Sequence, residues 1–175
     1  MTREQARDSF RRHNTRGLHT PRLRLKPKAS RSGYVDGAWW PRSDDLTTEL
    51  PDLIAVLGFR LGPVDRVAYN VDEWTRAPVE LATGGRAVHL DGHHRQPPNT
   101  VEVQDTNRNK MALLVVPSQT DPDHAHAIVM AAAAPNNSST VDTLLEISEQ
   151  DRDGRTRATA AHARWDSRAV GLNVR

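Results

Sequence analysis

The chain has 175 residues, 37% of them hydrophobic and none of them cysteine, and its 24 Lys and Arg stand against 22 Asp and Glu for a formal net charge of +2. Without cysteine there are no disulfides, no thiolate catalysis, no Cys-ligated zinc and no iron–sulfur cluster. No run approaches the roughly 20 apolar residues of a membrane span and the first residues lack the apolar stretch of a secretory signal, so a cytoplasmic protein with no membrane contact is expected.

In chain order, residues 1–20 hold Phe10 and Leu18 as the only large apolar residues after Met1. That is too little apolar surface to offset the entropy of ordering, so a flexible basic arm is predicted. Over residues 1–32, ten Arg and Lys face only Glu4 and Asp8, whereas residues 33–140 carry eight basic against fourteen acidic residues. A basic arm on an acidic body is a statement about partners, or about the arm folding back on its own domain.

Leu23 and Leu25 alternate with Arg22, Arg24 and Lys26, which predicts a short strand closed by Pro27, antiparallel to a second strand from Tyr34 to Trp40. Pro41 ends that ladder because it has no N–H. Ser43 is placed to cap the next helix, and Asp44 and Asp45 suit the positive end of its dipole. Leu46, Leu50, Leu53, Ile54 and Leu57 have helical spacing, with Gly58 as the expected stop and Pro51 either kinking one helix or separating two.

Val67, Tyr69 and Val71 predict a half-buried strand ending near Trp74. Val79–Leu81 and Arg86–Leu90 flank Gly84-Gly85, and Thr100–Gln104 and Lys110–Val116 flank residues 105–109, two hairpin signals. The run from Met111 to Val116 is the most apolar in the chain and is expected centrally, covered on both faces. Asp121 and Pro122 start a second helix that passes through Ala125, Ile128, Val129 and Ala132 and stops at Pro135. Val141, Leu144, Leu145 and Ile147 predict a short amphipathic helix over 141–149. The expected organisation is a flexible basic arm (1–20), an α+β domain (21–135), and the short helix with a flexible tail (136–175). The domain should be a curved or partly closed, mostly antiparallel sheet of six or seven strands with two principal helices.

Trp39 and Trp40 are neighbours in one strand and point to opposite faces, so both sides of the sheet must be covered there, or one ring serves a ligand. Trp39, Trp40, Arg42, Asp44 and Trp74 are therefore the ligand-binding candidates, with Arg42 offering a guanidinium to a carboxylate or phosphate. The competing reading is structural: packed rings, and Arg42 bridging an acidic neighbour. Arg3, Arg7, Arg11, Arg12, Arg16, Arg22 and Arg24 are the candidates for an anionic partner, a nucleic acid or an acidic protein, reached through residues 1–31.

Catalytic signatures are missing. His89, His93, His94, His124 and His126 have no zinc-binding spacing, so no metal and no cofactor is expected. No G-x-S-x-G elbow is present, Gly84-Gly85 lacks phosphate-loop spacing, and Asp44-Asp45 and Asp72-Glu73 read as cap and turn residues. The expectation is a non-enzymatic binding or adaptor protein with a basic arm. The alternative is a small-molecule-binding protein or enzyme with its site at the Trp-Trp-Pro-Arg junction.

The succession Leu23-Arg24-Leu25-Lys26-Pro27, Gly37-Ala38-Trp39-Trp40-Pro41-Arg42-Ser43, Glu49-Leu50-Pro51, Val88-His89-Leu90-Asp91-Gly92 and Leu113-Leu114-Val115-Val116-Pro117 resembles an actinobacterial family of unknown function. The likeness spans about residues 22–134, and Trp-Trp-Pro-Arg-Ser is its most specific part. It implies only a compact small domain in a bacterial cytosolic setting and carries no activity over to this chain. Where the family pattern has an aromatic after Leu-Asp-Gly, this chain has His93-His94.

Overall fold

Alternating side chains from Leu23 onward sort the sequence into strands that bury one face, interrupted by helices of 3.6 period. In the computed structural model, which describes residues 20–28, 30, 32–146 and 157, the elements are β1 (Leu23–Leu25), β2 (Gly37–Trp39), α1 (Leu46–Leu61), β3 (Val64–Asn70), β4 (Glu80–Thr83), β5 (Arg86–His93), β6 (Thr100–Asp105), β7 (Lys110–Val115), α2 (Pro122–Ala132) and α3 (Val141–Leu144). The strands form one sheet in the order β1-β2-β7-β6-β3-β5-β4.

The three hairpins predicted from local signals are present. Leu23 pairs with Trp39 in β1–β2, Thr83 with Arg86 in β4–β5, and Val103 with Met111 in β6–β7. Gly84 and Gly85 both have positive φ, 57° and 76°, the backbone that a two-residue hairpin turn with the right twist demands. Two further pairings are parallel: β2 with β7 (Ala38 opposite Leu114) and β3 with β5 (Val67 opposite Leu90). The sheet is therefore mixed, and the expected mostly antiparallel character is only partly met. It is also open rather than closed, with β1 and β4 as free edges.

The shared direction of β2 and β3, and through the antiparallel β6 that of β7, follows from α1, while residues 71–79 and the β4–β5 hairpin return β5 parallel to β3. The helix carries the chain from the end of β2 back across one face, so β3 starts at the same edge as β2 and runs in the same direction. On that face Trp39, Leu46, Leu50, Leu53, Leu57, Val67, Leu90, Val101, Val103, Leu113 and Val115 form the main core. Among the described residues the opposite face is covered beside β2 and β7, where Ala38, Leu114 and Val116 meet Ala125, Ile128, Val129 and Ala132 of α2 and Leu144 of α3. Strand β7 thus has both faces buried, as its composition predicted. Beyond it, that face carries polar pairs: Arg66 with Asp91 (2.9 Å), His93 with Asp91 (2.8 Å) and Lys110 with Glu102 (2.7 Å). Burial pushes the Asp91 carboxyl up, but the hydrogen bond and charge of His93 and the Arg66 guanidinium outweigh it and hold the group below its ordinary value.

Two helix boundaries differ from expectation. The N-cap of α1 is Asp45, whose carboxylate accepts from the Thr47 and Thr48 N–H groups, while Ser43 donates its hydroxyl to Glu49. The helix passes Pro51 as one element and passes Gly58 as well, ending only at Gly62 (φ 105°). The extra turn brings Leu61 onto the core. The predicted 141–149 helix is seen as the single turn of α3, and residues 147–149 lie outside the described ones.

Asp105 closes the β6–β7 turn. It is fully buried, and its carboxylate accepts from the Asn107 and Asn109 N–H groups (both 2.8 Å) and the Asn109 amide (2.7 Å). The Asn109 side-chain bond is the main reason its carboxyl stays below the ordinary value, against the opposing effect of burial.

Two outcomes are expected. Trp39→Ala should cost about 3–5 kcal/mol in chemical denaturation, the range for large aromatic truncations in a packed core. For Asp105 the folded pKa is depressed, so its contribution is complete above the unfolded value and is lost as pH falls through the folded one. Asp105→Asn should therefore flatten the acid limb of stability, read as urea midpoints between about pH 5 and pH 2.

Candidate functional site

Strands β2, β7, β3 and β5 run in one direction and β1, β6 and β4 in the other, so the sheet has a carboxyl-end edge and an amino-end edge. A concavity lies at each.

At the carboxyl-end edge, a pocket of about 240 Å³ is bounded by Pro41 after β2, Ser43 and Asp44 before α1, Glu73 and Trp74 after β3, Asn99 before β6, and the end of β7 through Ser118. Long-range hydrogen bonds tie these loops together. The Thr75 N–H donates to the Asp44 carbonyl (2.9 Å), the Asn99 N–H to both Glu73 oxygens (2.7 and 2.9 Å), and the Asn99 amide to the Val115 carbonyl (3.3 Å). Trp74 stacks on Trp39 with centroids 5.5 Å apart and planes at 18°.

The five ligand-binding candidates thus divide between two faces. Trp39 and Trp74 share the main core, and Asp44 and Trp74 line the pocket. Trp40 faces the other way, against the cluster under α2, and its outer surface is covered by Arg22, whose guanidinium carbon lies 3.5 Å from the ring centroid. Arg22 also donates to the Trp40 carbonyl (3.0 Å) and the Pro41 carbonyl (2.7 Å). Burial, then the adjacent charge of Arg42, lowers the pKa of Arg22, with Glu49 opposing. Arg42 itself is exposed and donates to the Thr20 carbonyl (3.2 Å). The sequence places Arg42 beside the Trp pair, but the cation on the ring is Arg22, because hairpin pairing sets Leu23 opposite Trp39. That register was the available signal.

At the amino-end edge, a cleft of about 660 Å³ lies between the end of β1, the end of α1 and the start of β7. Its charged lining residues are Lys26, Lys28, Arg60 and Lys110 against one carboxylate, Asp36. Lys26 is only 2% exposed, and its ammonium donates to the Ser32 and Asn137 carbonyls, both at 2.7 Å. Arg60 donates to the Lys26 carbonyl (2.6 Å). The convergence of Arg60 and Lys110 with the basic segment was not legible in sequence.

Of the anionic-partner candidates, Arg22 is engaged on Trp40 and Arg24 is exposed on the edge strand β1. Arg3, Arg7, Arg11, Arg12 and Arg16 lie outside the described residues. His94 approaches Asp72 (3.1 Å) and His93 approaches Asp91, with no group of three or more ligand-type residues among the described residues able to hold a metal ion. No helix among them is long and apolar enough to cross a membrane.

The family pattern of DUF5994, a family of unknown function, matches residues 22–132. The chain belongs to that family. The matched segment opens at Arg22 and closes with α2, so the DUF5994 portion contains the whole sheet and the residues lining both concavities. No curated protein and no solved structure matches the chain.

Arg22→Lys retains the charge but loses the planar stack and the two-pronged donation to Trp40 and Pro41. It should lower stability by about 1–3 kcal/mol, for part of the cation–π contact and one of the two charge-assisted hydrogen bonds, as read from denaturation midpoints.

Proposed function

We propose that this DUF5994 protein is a non-enzymatic binding or adaptor protein that receives an anionic partner on its basic segment and on the cleft at the amino-end edge. The observation that carries the reading is the meeting of Lys26, Lys28, Arg60 and Lys110 around one open volume of about 660 Å³, within the range of about 300–1,000 Å³ typical of ligand sites. Lys26 is already committed to backbone carbonyls, so it anchors the wall and contributes field more than contacts. Lys28 supplies donors that a phosphate or carboxylate would take, and Arg60 and Lys110, which also hold the Lys26 carbonyl and Glu102, add the remaining N–H groups they carry.

Among the described residues no aromatic lines the cleft, so none of them offers a platform on which a base could stack. The reading is accordingly one of charge recognition along a flexible anionic chain, indifferent to base identity. Arg24, exposed on β1, and the charges of Arg3, Arg7, Arg11, Arg12 and Arg16 add to the attraction for such a chain. A cytosolic setting, which the cysteine-free composition permits, belongs to the same proposal.

Binding of a fluorescent single-stranded RNA and of a poly-glutamate peptide, followed by anisotropy across a salt series, tests it. For the nucleic acid, each neutralised phosphate contributes a slope of about −0.7 in log affinity against log salt. Lys28→Glu with Lys110→Glu should weaken binding of either polymer at least roughly tenfold and make the slope shallower by about 1–2. Replacing Arg3, Arg7, Arg11, Arg12 and Arg16 by Gln measures the share of the arm. Unchanged affinity in the lysine double variant would remove the cleft from the reading.

A further inference from the structure

The pocket at the carboxyl-end edge has a chemistry opposite to that of the basic cleft, and the inference drawn from it does not rest on the anion-binding reading. Its charged lining residues are both carboxylates, Asp44 and Glu73, and Pro41, Val115 and Pro117 supply apolar wall. Glu73 is held by the Asn99 N–H. The Asp44 carboxylate is exposed on the rim, and its side chain has no hydrogen-bonding or ionic partner among the described residues; the Ser118 hydroxyl is in the same position.

Trp74 adds an independent observation. It lines the pocket and is only 9% exposed, yet its Nε1–H is buried with no acceptor among the described residues. A buried donor left unmade is costly, so an acceptor arriving in the pocket has something to gain there. Because the N–H is shielded from water as it stands, the indole must turn for an acceptor in the pocket to reach it.

These groups select a ligand class by elimination. A carboxylate or phosphate would satisfy Trp74 and Ser118 but would face the negative charge of Asp44 and Glu73. A simple amine would satisfy Asp44 and leave the indole donor unmade, since an ammonium accepts nothing. A hydroxyl both donates and accepts, and a hydroxylated carbon skeleton lays C–H surface against Trp74, the prolines and Val115. The volume, about 240 Å³, falls just below the range of about 300–1,000 Å³ that accommodates drug-sized ligands, so the occupant is small. We propose that this pocket, formed where Asp44, Trp74 and Ser118 meet, binds a small neutral polyhydroxylated molecule, a monosaccharide or polyol.

The test uses the full ¹⁵N-labelled chain and the indole N–H resonances of its tryptophans, with the Trp74 signal identified as the one missing from Trp74→Phe. D-glucose, D-galactose, myo-inositol and glycerol are titrated at matched concentrations, with glucosamine and glucuronate as charged counterparts. The expected result is a saturable downfield shift of the Trp74 signal with at least one neutral compound, no such shift with glucuronate, and affinity weakened roughly tenfold or more in Asp44→Ala, as for loss of a charged acceptor. Asp44 is exposed, so that variant keeps the core intact, and unchanged Trp39 and Trp40 signals confirm it. A Trp74 response to glucosamine alone overturns the ligand class. No Trp74 response to any of the six compounds, or an identical response in Asp44→Ala, overturns the site.

Discussion

The stack of Trp39 on Trp74 is the contact on which the carboxyl-end half of the molecule depends. Trp39 ends β2 and Trp74 lies beyond the end of β3, two strands separated in the sheet by β7 and β6. Large flat rings can bridge that interval where aliphatic side chains would leave a void. Fixing Trp74 also fixes Thr75, which holds the Asp44 carbonyl by both its N–H and its hydroxyl, one residue before the Asp45 cap of α1. The start of the helix, the loop after β3 and the wall of the smaller pocket are thus set by one aromatic pair. Pro41 and Pro117, which leave β2 and β7 without further ladder donors, keep the strands from extending across that space.

The neighbouring ring shows how a strand residue on the far face is covered without a third layer. Trp40 packs on the cluster beneath α2, and Arg22 closes its outer side with a plane of matching size. Guanidinium is weakly hydrated and keeps its donors at the rim, so it serves as cover and clamp together. The excess of ten basic over two acidic residues in positions 1–32, read as free charge, is therefore overstated at its inner end: Arg22 and Lys26 are both spent on backbone carbonyls of the fold. Lys26 also explains the need for Gly33, whose Cβ would lie 2.9 Å from the ammonium and 2.5 Å from the Asn137 carbonyl that receives it.

Local chemistry was legible and long-range assembly was not. Gly84-Gly85, Asp121-Pro122 and the apolar run at Met111 each carry their instruction within a few residues, and each element stands where those residues put it. Ser43, Asp44 and Asp45 can all cap a helix, and the choice fell to Asp45 because Leu46 and Leu50 must both face the core. Gly58 resembles a stop, but the unused apolar surface of Leu61 lies one turn further. The parallel pairings β2–β7 and β3–β5 leave no local trace, since the first follows from where α1 deposits the chain and the second from the return through residues 71–79 and β4. The two concavities are products of that topology, so Asp44 and Trp74 could be named from sequence whereas Glu73, Asn99, Ser118, Arg60 and Lys110 could not be grouped with anything.

The β2–β7 pairing also has a temporal side. All three residues of β2 are buried, yet the strand that shields them from one edge is the last of the sheet to be made. At translation rates of about 5–20 residues per second, the first hairpin waits roughly 4–15 seconds on the ribosome before its parallel neighbour emerges. During that interval Ala38 lacks α2 and one edge of β2 lacks its partner, although Trp39 can already meet α1 and Trp74, so the N-terminal hairpin cannot be completed as soon as it is made. The decisive contacts have high sequence separation, which places the domain among the slower folders for its size and makes the nascent chain, not the finished one, the form most exposed to misassociation.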